Sequence, residues 1–258
     1  MNATRNLLSN WSAEGARCVA YPATSMELSS ATGWWETLVG RPPEALTVRQ
    51  GAILEAVGPI DSGILALVFS SLGELRTDFL LNPPLPVEQT FPTLGDATAA
   101  IDSLSQIVEK WFDVGVPIRR LGVGGVVHSQ VASVSEGYAA LTELLPAVSI
   151  DPHGSSELMY QINRPRTSQV ASLSVNRLTK WSVAARHHLA FSFAMSGAGG
   201  SVPSATAVGK PTSISIRLEF DINTAPSHSE PLATEIYKPL LKELIAFAQE
   251  ILVKGDVP

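Results

Sequence analysis

The chain has 258 residues, 45% of them hydrophobic and only 16% charged, with a net charge of −6 and a single cysteine. A lone Cys18 excludes an internal disulfide and a cysteine-based zinc site, and no apolar run approaches the roughly 18 residues that cross a bilayer as a helix. Soluble domains carry roughly 25% charged residues, so a chain this poor in charge either buries much of itself or presents a face that a partner covers. The expected state is an oligomer or a complex subunit with no membrane attachment.

Met1 to Gly15 has no apolar core of the secretory kind, which points to the cytoplasm. Residues 1–45 read as an irregular N-terminal segment that holds Trp34-Trp35 and the turn Arg41-Pro42-Pro43. From Leu46 the hydrophobic period becomes two. Leu46 to Val57, Gly63 to Ser70 and Gly73 to Leu81 are expected to form an antiparallel meander. Leu94 to Phe112 has helical spacing, with Ala97, Ile101, Leu104, Ile107 or Val108, and Trp111 on one face and Asp96 as a cap. These elements make a first half, 46–115.

The second half, 116–258, opens with a buried-type strand from Pro117 to Val131, followed by a short helix from Ser135, its expected N-cap, to Leu145. Strands are then expected at Leu158 to Asn163, Val170 to Val183 and His187 to Met195. A Gly/Ser/Ala/Pro-rich loop spans Ser196 to Pro211, and a further strand spans Ser213 to Asn223. Pro231 to Lys254 reads as a long helix with a stripe of Ile236, Leu240, Leu244 (or Leu241), Phe247 and Ile251, kinked or delayed in its start by Pro239. The motif Arg76-x-Asp78-Phe79-x-x-Asn82 returns as Arg217-x-Glu219-Phe220-x-x-Asn223, each copy ending a β-rich segment that leads to a long helix. Two duplicated halves about a pseudo-twofold would produce that echo; chance matches in two strand ends would too.

Charge is distributed unevenly. Leu158 to Leu218 holds no Asp or Glu but carries Arg164, Arg166, Arg177, Lys180, Arg186, Lys210 and Arg217, a local +7 that leaves −13 on the remainder. Arg164, Arg166, Arg177, Lys180, Trp181 and Arg186 are the candidate partner- or anion-binding residues, since guanidinium forks grip carboxylates and phosphates and aromatic faces stack on bases. The competing expectation puts Trp181 in the core and pairs Arg164 and Arg166 with acids from elsewhere in the chain.

No catalytic constellation stands out. Gly122, Gly124 and Gly125 lie inside a strand pattern with no Lys-Ser/Thr after them, so they mark a bulge or close backbone contact rather than a phosphate loop. His187 and His188 alternate to opposite faces of a strand, and no HxxxH, HxH or G-x-S-x-G occurs. Hence no metal, cofactor or catalytic residue is expected. An enzyme acting on an anionic small molecule would need His128, His153 or His187 to converge with Arg and carboxylate groups.

Pro117-Ile118-Arg119-Arg120-Leu121-Gly122 and Tyr160-Gln161-Ile162-Asn163-Arg164-Pro165-Arg166, with the terminal strand and helix, resemble a sporadically distributed group of uncharacterised bacterial and archaeal proteins. That group has a mid-chain arginine–apolar–glycine strand and a long C-terminal helix. It differs in carrying Arg-Tyr-x-Asn after the glycine, where this chain has Val123-Gly124-Gly125-Val126. The resemblance implies a mobile or defence-associated setting and brings no catalytic residues.

The expectation is an α+β fold, with antiparallel sheet in two possibly duplicated halves, each covered by a long helix. The expected function is a non-enzymatic interaction subunit of a prokaryotic complex or a homodimer, linked to defence or toxin control. A nucleic-acid module built on 158–218 is the alternative.

Overall fold

A computed structural model describes residues 10–84, 91–196 and 200–257, with backbone alone for 187–212. β1 (Ser12–Pro22) leads to two short helices, α1 (Leu28–Ala31) and α2 (Trp34–Val39). A meander follows: β2 (Ala45–Arg49), β3 (Ile53–Ile60), β4 (Gly63–Ser70) and β5 (Arg76–Asn82), then α3 (Ala97–Phe112). The chain continues with β6 (Ile118–Val131), α4 (Val134–Leu144), β7 (Met159–Asn163), β8 (Arg166–Thr167), β9 (Ser174–Ser196) and β10 (Gly200–Thr224). A 3-10 turn at Thr234–Ile236 opens α5 (Tyr237–Lys254). The strands form one antiparallel sheet in the order β2-β3-β4-β5-β1-β6-β10-β9-β7, with β8 paired to β9. The fold is α+β.

Alternation decides what each face carries. Ala16, Cys18 and Ala20 of β1 are buried, as are Val123 of β6 and Phe220 and Ile222 of β10, all on one face of the sheet. α3 packs against β1, α5 against β6, and α4 against β9 and β10. Ile101 and Leu104 of α3 and Leu241 and Ile245 of α5 meet Ala16, Cys18 and Val123 around a small cavity. Trp111 is fully buried at the end of α3, with its ring 5.4 Å from both Trp34 and Phe79 in edge contacts. Burying a large aromatic side chain contributes about 2–3 kcal/mol, so the N-terminal Trp34 is tied to the core. Asp96 caps α3 by accepting from Ala99 N–H, as its position suggested.

Several expectations are corrected. The segment 1–45, expected to be irregular, is ordered where it is described: β1 (Ser12–Pro22) occupies the middle of the sheet, and α1 and α2 follow it. The single strand 46–57 is a hairpin, because Gln50 and Gly51 take φ of 52° and 64° in a tight turn that Ala52 N–H closes on the Arg49 carbonyl at 3.0 Å. The cap of α4 is Ser133, not Ser135: Ser133 accepts from Glu136 N–H and Glu136 accepts from Ala132 N–H, a reciprocal capping arrangement. Strands 170–183 and 187–195 are one strand, β9, because the ladder with β10 continues across Arg186. Of the expected loop 196–211, Ser196 and 200–208 are paired in that ladder, the register shifts between Val208 and Ser213, and 197–199 lie outside the described residues. Pro239 sits in the first turn of α5, where a missing N–H costs no helical bond, so the helix starts late rather than kinking.

Candidate functional site: a trough on the open sheet face

The face opposite α3 and α5 holds a trough of about 450 Å³ lined by sheet residues alone. Its floor follows from the register. Leu80 of β5, Arg17 of β1, Gly124 of β6, Asp221 of β10 and Leu178 of β9 stand in one row across five strands. The next row runs Gly15, Val126, Glu219, Lys180 and Gln161. Without a side chain at Gly124 the middle of the first row rises no higher than the backbone; a Cβ there would stand 3.0 Å from the Phe220 carbonyl oxygen, so glycine also relieves a close backbone approach. Gly125, on the other face, lies under the Phe220 ring, where a Cβ would stand 2.9 Å from Cζ. Gly125 is the close contact that the glycine run suggested, and the β6–β10 register passes through it without a bulge.

Charges border this floor in two groups. Arg17 donates to Asp78 from Nε at 2.9 Å and Nη2 at 2.6 Å, and Arg76 Nε reaches the other Asp78 oxygen at 2.6 Å. Across the floor, Glu219 accepts from Lys180 Nζ at 3.2 Å and from Arg217. Arg217 Nε also donates to Glu14 at 3.2 Å. Glu14 is the extra residue where the β1–β6 register slips between Ala13 and Gly15, and the bulge explains its distinct aim. Burial alone would raise the Glu219 carboxyl, but Lys180 and Arg217 outweigh it and hold it below the usual range.

At the same end His128 is buried, 5.1 Å from the Phe91 ring and 3.6 Å from Glu14. Burial lowers its affinity for a proton more than Glu14 restores it, so the ring is neutral at pH 7. His153 lies elsewhere, with Ser135 at 3.1 Å, and the side chain of His187 falls outside the described residues. Among the described residues no group of His, Cys, Asp and Glu could hold a metal ion. Cys18 faces α3, its thiol pushed up to about 12 by burial, which makes it a poor nucleophile.

The candidate residues of 158–186 do not converge on one surface. Arg164 holds Asp256 through Nε at 3.0 Å and Nη2 at 2.8 Å, and Tyr160 donates to the same carboxylate at 2.9 Å. Arg166 reaches Glu250 at 2.5 Å, and the buried Arg177 reaches Glu250 at 3.4 Å and lies 5.6 Å over the Phe247 ring. These three arginines clasp α5 and the residues after it. Trp181 is fully buried, edge-on to Trp11 at 6.2 Å. Arg186 lies 5.3 Å over the Phe91 ring. Only Lys180 lines the trough. Sequence reasoning passed over Arg17, Val126 and Asp221 and read Gly124 only as a bulge or close backbone contact, although the 76–82/217–223 echo marks two of the strands that make the floor.

No protein-family model matches the chain, and no curated protein matches it.

Proposed function

We propose that this chain is a non-enzymatic binding subunit whose recognition surface is the open sheet face, working as a homodimer or in a protein complex. The trough carries the proposal: a broad sheet face with an apolar, glycine-floored depression between ion pairs is what a partner covers. The mobile or defence-associated setting implied by the resemblance belongs to the same proposal. The nucleic-acid reading has less support, because Arg164, Arg166 and Arg177 already hold carboxylates of the chain and Trp181 is buried.

Duplication is part of this reading. Outward from the centre the strands run β1-β5-β4-β3 on one side and β6-β10-β9-β7 on the other. Matching Phe79 to Phe220 matches Cys18 to Gly125 and Arg17 to Gly124. Arg17 and Gly124 are themselves register partners, so a pseudo-twofold would pass between them, through the trough floor. The buried faces of the covering helices correspond as well: Ala100, Ile101, Leu104, Val108 and Trp111 against Leu240, Leu241, Leu244, Ala248 and Ile251.

Native mass spectrometry of gently purified protein tests the function. The expected result is a dimer or discrete protein complex for the wild type and its loss in Leu178→Asp, with circular dichroism unchanged. A wild-type monomer, or a complex indifferent to Leu178→Asp, would refute it.

A further inference from the structure

We infer that the void over Gly124 receives a basic side chain, lysine or arginine, presented by the partner protein; the inference rests on the open face being the recognition surface. Charge pairing leads to it. Asp78 has Arg17 and Arg76, Glu219 has Lys180 and Arg217, and Glu14 has Arg217. Asp221 stands in the same trough and, among the described residues, has no cationic partner; its one hydrogen bond comes from Asn223 Nδ2 at 2.9 Å. A carboxylate left over beside a cavity attracts a cation.

The void has a local cause. Under the proposed duplication, position 124 corresponds to Arg17 and Glu219 corresponds to Asp78. Lys180, from β9, gives Glu219 the second cation that Arg17 gives Asp78. A cation is therefore not needed at 124, and glycine leaves open space beside Asp221. Val126, Leu178 and Leu80 wall that space and would take a methylene stem. At the rim, the side chains of Asn82 and Gln161 have no hydrogen-bond partner among the described residues and can bond a backbone laid along the trough.

Shape favours a side chain over a free amine. The trough is open along its length, whereas small-molecule sites enclose 70–90% of their ligand. A side chain needs no such enclosure, because the rest of its protein supplies contact area. The lining carries Glu14, Glu219 and Asp221 against Arg17 and Lys180, and both of those cations already pair with carboxylates of the chain, so an anionic group meets the less favourable charge.

The test titrates the full 15N-labelled chain with a capped pentapeptide, Ala-Leu-Lys-Leu-Ala, and with analogues carrying norleucine or glutamate in place of lysine. n-Hexylamine serves as the free amine. The lysine peptide is expected to shift the amides of Gly124, Leu178 and Asp221, with the norleucine analogue at least about tenfold weaker. Asp221→Asn, nearly isosteric and still able to accept from Asn223, is expected to erase that difference without moving the melting midpoint. Equal binding of lysine and norleucine peptides, no shift with the lysine peptide, or full affinity in Asp221→Asn would overturn the inference. Hexylamine binding more tightly than the lysine peptide would overturn the partner-side-chain assignment. A glutamate peptide that shifts the same amides as strongly would sink the basic-side-chain assignment and leave the open face standing as a binding surface. Failure of the wider reading shows separately, as a complex that Leu178→Asp leaves intact.

Discussion

At the β7–β9 edge, Arg164, Arg166 and Arg177 close on Asp256 and Glu250, and Asp256 is 2% exposed at its side chain. On the open face, Arg17, Lys180 and Arg217 pair with carboxylates too, yet among the described residues Asp221 has no cationic partner, and Gly124 beside it carries no side chain. The two regions contain the same kinds of residue. They differ in closure: the first clasps the sheet to α5 with Arg164, Arg166 and Arg177 all on carboxylates, while among the described residues the second keeps a carboxylate without a cation beside a space. Ion pairs of the first kind report on folding; under the proposed function, those of the second kind report on recognition.

The largest effect expected is at Asp256. Its removal in Asp256→Ala strips Arg164 and Tyr160 of a shared acceptor, and breaking such a buried pair costs about 3 kcal/mol. A urea unfolding midpoint that barely moves would show that the clasp is not structural. Next is the response to acid. Hydrogen bonding from Arg164 holds Asp256 below its ordinary 3.8; for Glu250, burial pushes upward but Lys254 and Arg166 prevail and hold it below 4.5. A depressed carboxyl binds fewer protons folded than unfolded, so its stabilisation is full above those ordinary values and is lost as pH falls through them toward the folded values. Urea midpoints measured from pH 7 to pH 3 should therefore drop below about pH 4.5, and Asp256→Ala should flatten the drop.

A smaller effect is expected at the trough's end. Glu14→Gln should cost about 1 kcal/mol and, by removing the one carboxylate that favours its protonated form, lower the His128 midpoint further. An NMR titration of the ring reads this, and an upward move would contradict the assignment. The smallest effect is at Asp221. Asp221→Asn should change stability by no more than about 0.5 kcal/mol, in contrast with Asp256; a large loss would make Asp221 another structural carboxylate.

Much of the architecture was legible in residue order. The helix at Leu94 to Phe112 and its Asp96 cap, the buried strand around Gly122 to Gly125 and the long C-terminal helix follow from spacing and local chemistry. β1 was not legible, because Gly15, Ala16, Arg17 and Cys18 alternate small and polar residues, and a central strand lying between two others needs no bulky row of its own. The join of β9 to β10 was hidden for a related reason: Gly, Ser, Ala and Pro resemble a loop, while the ladder there comes from the partner strand.

By itself the sequence determined the class of fold, the excess of cation over 158–218 and the echo of 76–82 in 217–223, because periodicity and charge count are local properties. Which arginine meets which acid was decided only by the tertiary structure. Arg164 and Asp256 are 92 residues apart, Arg217 and Glu14 are 203 apart, and register rather than composition brings them together. The trough has the same origin. A glycine in a strand is a void only when the rows on either side of it carry side chains, and those rows come from strands remote in the chain.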